Sequence, residues 1–172
     1  MLEALIFVVF PFCMLFAAIS DTLSMTIANR VPLLLIGVFA LVAPLTGMEW
    51  SAYGMHFAAG ALVLCVTFGL FALGGMGGGD AKLIAATSVW MGFTIHLLEY
   101  LVVSTALGGL LTLAILLYRN SALAVFTRHN QFFQHFADDA KGVPYGIALG
   151  AGGLIVYPDS PLMTWALAQL AS

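Results

Sequence analysis

From residue 2 to residue 118 the chain is a succession of apolar stretches about as long as a bilayer is thick, separated by short segments that hold nearly all the charge. A membrane-crossing helix needs about 20 apolar residues, and in hydrocarbon its backbone groups must all be bonded within the segment. Strands closed into a barrel would alternate apolar and polar residues with period two, and these stretches do not. Only 8% of the residues are charged and 62% are hydrophobic, where a soluble domain carries about a quarter charged residues. The expectation is an all-α, polytopic membrane bundle of about six transmembrane helices, forming a single membrane-embedded domain over residues 1–172.

The stretches run over about 2–20, 31–46, 53–73, 81–95, 100–118 and 143–157, leaving a tail from 158 that lies at the interface or re-enters. Met1-Leu2-Glu3 lacks the basic start of a cleavable signal peptide, so the first stretch is expected to stay as a span. With the N-terminus outside, the inner segments are 21–30, 74–82 and 119–142, and all five basic residues (Arg30, Lys82, Arg119, Arg128, Lys141) fall in them. The positive-inside rule then places these segments in the cytoplasm. Glu3, Glu49, Glu99 and Asp159 fall outside; Asp21, Asp80, Asp138 and Asp139 break the pattern. No basic patch suits nucleic acid. Cys13 and Cys65 read as small apolar core residues, His56 and His96 as interfacial packing, and no Cys or His spacing suits a metal. The 119–142 segment mixes phenylalanines with Arg128, His129 and glutamines, the composition of a helix lying on the membrane surface.

The acids worth most attention are Asp21 and Asp80. Asp80 ends the run Gly74-Gly75-Met76-Gly77-Gly78-Gly79, where five glycines oppose continuing a helix. On its own it reads either as the N-cap of the next helix or as a reactive carboxylate in a loop that another backbone can approach. Asp21 closes the first span at the same membrane depth, and alone it reads as a solvated span end. If the first and fourth spans pack together the two carboxylates meet, and one keeps a proton. That supplies a base to activate water and an acid for the carbonyl oxygen or leaving amine, with no metal or cofactor.

Gly77-Gly78-Gly79-Asp80 resembles the GxGD motif of membrane aspartyl proteases, and the run through Lys82 and Leu83 is similar to the GxGDxKL form of type IV prepilin peptidases. Asp21 followed by Ile27-Ala28-Asn29-Arg30 is similar to that family's first aspartate and downstream Ile-Pro-Asn element, with Ala28 in place of proline. Val143-Pro144-Tyr145-Gly146 resembles its Pro-Tyr-Gly motif. Presenilin-like relatives usually place tyrosine before the first aspartate, where this chain has Ser20.

The resemblance implies catalytic Asp21 and Asp80, with Gly77, Gly78, Gly79, Lys82, Asn29, Pro144, Tyr145 and Gly146 shaping the site. Lys82 either orients a carbonyl or biases the dyad, or is a topology anchor; Asn29 caps or bonds backbone. The implied activity is endoproteolytic removal of a prepilin leader at the cytoplasmic face of the bacterial inner membrane. The substrate would have a basic leader and an apolar helix, with lipid and pilus assembly machinery as further partners. The chain has no Cys-x-x-Cys zinc pair, so it resembles the short branch associated with Flp-type pili, which does not methylate. The competing class is a non-enzymatic transporter or secretion and pilus assembly subunit, but transporters keep ionisable groups near the midplane.

Overall fold

Residues 2–121 and 142–171 are described by the computed structural model, and among them every regular element is a helix. The order is α1 (Leu2–Ser24), α2 (Arg30–Leu45), α3 (Trp50–Ala72), α4 (Gly78–Met91), α5 (Ile95–Arg119), α6 (Gly146–Val156), a 3-10 turn (Tyr157–Asp159) and α7 (Pro161–Ala171). Three of these, α1, α3 and α5, are long and apolar enough to cross a membrane, and α2 is a shorter apolar helix. The other three have 14, 11 and 11 residues. The tail is a helix docked back on the bundle, with Leu162 and Ala166 buried.

Several boundaries differ from the sequence expectation by a few residues, and two of them bear on the carboxylates. Helix α1 runs past residue 20 to Ser24, so Asp21 stands in its last full turn instead of opening a polar connection. Helix α4 begins at Gly78 rather than near 81. Glycine propensity alone argues against that start, by about 1 kcal/mol per residue. Tertiary packing outweighs it, because Ala81 and all residues from Leu83 to Met91 are buried. A helix apolar on every side belongs inside a bundle, and α4 packs against α2, α3, α5, α6 and α7.

Away from the polar segments an aromatic knot ties the helices. The Trp90 ring lies 5.3 Å from Phe10, 5.8 Å from Phe39 and 5.9 Å from Tyr157. Its indole N–H donates to the Leu35 carbonyl at 3.0 Å, and the Tyr157 hydroxyl donates to the Ile6 carbonyl at 2.6 Å. Buried His56 bonds the Val89 carbonyl at 2.7 Å, and His96 pairs with Glu99 at 3.0 Å. Cys13 is in the core, whereas Cys65 faces outward, contrary to the expectation for it. Phe12, Leu41, Leu62 and Leu113 also project outward, an apolar surface suited to lipid.

Candidate active site

Asp21 is buried at 5% exposure. A carboxylate in the last turn of its own helix meets the negative end of the dipole, which is unfavourable. The compensation comes from another helix. Gly146, the first residue of α6, donates its backbone N–H to Asp21 Oδ2 at 2.7 Å, using one of the donors that every helix start leaves free. A Cβ on Gly146 would lie 2.7 Å from Asp21 Cβ and 2.9 Å from Oδ2, so this approach requires glycine.

Asp80 is the third residue of α4, whose N-cap is Gly77 in extended conformation (φ −70, ψ 140). It is therefore not the N-cap itself. Its carboxyl reaches back to the Gly77 N–H, one half of a capping box. A Cβ on Gly77 would sit 2.8 Å from Asp80 Oδ2. Asp80 stands in the first turn of α4, outside the three long apolar helices. Partial burial first, and the negative charge of Asp21 second, push its carboxyl up to about 7, against the opposing Gly77 hydrogen bond. Near neutral pH this carboxyl carries a proton much of the time, as expected when two acids share a site.

Both carboxylates line one cavity of about 650 Å³, together with Met25, the turn between α3 and α4, Tyr100, Ser104 and Tyr145. The connection between α1 and α2 is laid against the start of α4. A Cβ on Gly79 would meet Ile27 Cβ at 3.2 Å, and Lys82 Nζ donates to Asn29 Oδ1 at 2.9 Å. Asn29 occupies the N-cap position of α2 but makes no side-chain cap bond, so its expected capping role passes to a tether with Lys82. Gly78 packs under the Phe71 ring. Pro144 is buried, and Tyr145 precedes α6 with its ring against Gly108 of α5, leaving the Gly146 N–H aimed at Asp21.

Sequence reasoning singled out none of Met25, Tyr100 and Ser104 on the cavity wall. Met25 holds a left-handed backbone (φ 53) just past α1, and nothing in the sequence announces it. Tyr100 and Ser104 are four apart in α5, so they share a helix face; a polar pair at that spacing inside an apolar span was the available signal. Arg128, His129, His135, Asp138, Asp139, Lys141 and most of the expected surface helix at 119–142 lie outside the described residues, while Arg119 belongs to the end of α5.

Two carboxylates on one cavity of a helical membrane protein, each with a backbone N–H bond, is an arrangement suited to aspartic peptidase chemistry. The sequence model of the type IV leader peptidase family matches residues 8–118, more than half of the chain, and the protein belongs to that family. It is thus a membrane protein and an aspartic peptidase of the leader peptidase type, acting in general on prepilin-type substrates. The matched range includes Asp21 and Asp80 and ends before Pro144-Tyr145-Gly146. Comparison with curated proteins and with solved structures returns no match.

Proposed function

We propose that this protein is a membrane endopeptidase that removes the leader from prepilins at the cytoplasmic face of the bacterial inner membrane, with Asp21 and Asp80 activating water. The observation that carries this reading is the meeting of the two carboxylates in one cavity, each fixed by a backbone N–H. Asp21 is the base: it takes a proton from water as the water oxygen bonds to the scissile carbonyl carbon. Asp80, protonated, gives its proton to the carbonyl oxygen, forming a neutral tetrahedral diol. On collapse the C–N bond breaks, and the nitrogen takes the proton held by Asp21. A hydroxyl proton returns to Asp80, so one water is consumed and both groups are restored.

A peptide must be extended to be cut, and the turn at Gly74–Gly77 leaves room for such a strand. The reading takes the protein as a peptidase of the Flp-pilus branch that leaves the new pilin N-terminus unmethylated. Its test is incubation of purified protein with an Flp-type prepilin, mapping of the cut by mass spectrometry, and the same assay on Asp21→Asn and Asp80→Asn. Each single variant should lose cleavage while keeping its fold, and the double should be hardly worse than either. Substantial cleavage by well-folded Asp80→Asn, or methyl transfer from S-adenosylmethionine, would sink the corresponding part.

A further inference from the structure

Tyr100 is fully buried and Ser104 is 2% exposed, yet both line the cavity that holds the two carboxylates. The Tyr100 hydroxyl lies beside those of Thr87 and Ser104. Even so, neither Tyr100 Oη nor Ser104 Oγ has a hydrogen-bond partner of proper geometry among the described residues. The Thr87 hydroxyl donates its own proton to the Leu83 carbonyl at 2.9 Å, so toward them it can act only as an acceptor. Two buried, unpaired hydroxyls one helical turn apart are costly unless something else satisfies them.

Their depth says what that something is. Thr87, the neighbour of Tyr100, is seven residues along α4 from Asp80, about 10 Å further toward the membrane interior. A peptide bond held at Asp21 and Asp80 has the carboxyl side of its substrate leading into this depth, where an apolar helix continues in the bilayer. Opening the first turn of that helix for cleavage frees backbone carbonyls, and in hydrocarbon each needs a new donor. We infer that Tyr100 and Ser104 form a substrate subsite on the membrane side of the cut, donating hydrogen bonds to backbone carbonyls of the unwound first turn of a transmembrane substrate.

This inference rests on the peptidase reading and adds a way of choosing substrates. It favours chains that continue as a membrane helix, recognised through the backbone and not through a particular side chain. Neither hydroxyl moves a proton in the reaction, so their effect lies in binding.

The test compares Tyr100→Phe, Ser104→Ala and the double variant on two substrates. One is a full-length Flp-type prepilin in detergent micelles; the other is a peptide with the same leader that ends two residues past the cut. Both substitutions remove only an oxygen, and thermal melts check that the fold persists. The expected result is a rise in KM for the full-length prepilin of about tenfold per hydroxyl removed, with kcat little changed and the short peptide cleaved as by wild type. Unchanged KM on the full-length substrate would overturn the subsite, as would an equal loss on both substrates. Wild-type protein that cuts neither substrate would overturn the peptidase reading itself, and the subsite with it.

Discussion

Gly77 and Gly146 stand against Asp80 and Asp21 so closely that a methyl group at either would come within 2.8 and 2.9 Å of a carboxylate oxygen. Gly77 has ordinary backbone angles, so alanine there meets no conformational barrier and only the carboxyl must move. A displacement of about 1 Å at a catalytic group costs on the order of 100-fold in rate. Gly77→Ala should lose about that much prepilin cleavage with melting little altered, whereas Gly146→Ala, whose methyl would also meet Asp21 Cβ at 2.7 Å, should lose cleavage and lower the melting temperature as well; a wild-type rate in either would remove that glycine from the site. The same residues set a pH response. Asp80 is raised from 3.8 to about 7, so between those values the unfolded chain gives up a proton that the folded protein keeps. Stability contributed by that proton is complete at low pH and is lost as pH rises toward 7. Cleavage should fall as pH climbs through about 7 and Asp80 loses its acid proton. Asp80→Asn should flatten the fall in melting temperature from pH 4 to 7; an unchanged slope would refute this origin. At this scale Asp21 and Asp80 were readable because they break the charge pattern at one membrane depth and stand in motifs that resemble those of the prepilin peptidases. Tyr100 and Ser104 left a fainter mark, a polar pair four residues apart that does not interrupt the apolar span.

Between elements, the start of α4 is held from two sides: Phe71 of α3 covers Gly78, and the segment after α1 rests on Gly79 and Lys82. The glycine run signalled a break in helix, and the break is real from Leu73 to Gly77. Its last two glycines nonetheless turn inside the helix, because they are the positions where neighbouring segments come nearest. Local propensity carries no information about that contact. Asn29 shows the same limit: its type and position suit a cap, and a partner 53 residues away claims its side chain instead. The Lys82–Asn29 bond is exposed, so its loss should cost little stability, in the range of 0.2–1 kcal/mol for exposed polar pairs. Asn29→Ala keeps the positive charge of Lys82 and therefore keeps any topology signal. If the tether holds the Asp80 turn in register, this variant should cleave prepilin several-fold more slowly with melting nearly unchanged. Full activity would leave Lys82 with a topological role alone.

Across the whole molecule, the chemistry-bearing ends of the helices collect at one end of the bundle. Asp21 near the end of α1, Asp80 at the start of α4 and Gly146 at the start of α6 meet at the cavity. Lys82 bonds Asn29 beside Arg30, and Arg119 at the end of α5 reaches the carbonyl of Gly142 on the cavity wall. The opposite end holds the start of α1 joined to Tyr157, and an exposed Trp50 opening α3. The alternation of charge and apolar stretches made this sidedness readable. Span lengths were less so, because a buried helix such as α4 is sheltered by its neighbours and need not reach the length that lipid contact demands. Basic residues at one end resist transfer across the membrane, so that end should face the cytoplasm. Reporter fusions after Arg30, Lys82 and Arg119 should therefore read as cytoplasmic, and fusions near Glu49 and Glu99 as external. A single inner fusion found outside would break the model, since the helices joined at the cavity would no longer present their ends to one face. It would also strand the leader, which as a basic segment stays on the cytoplasmic side, across the bilayer from the carboxylates meant to release it.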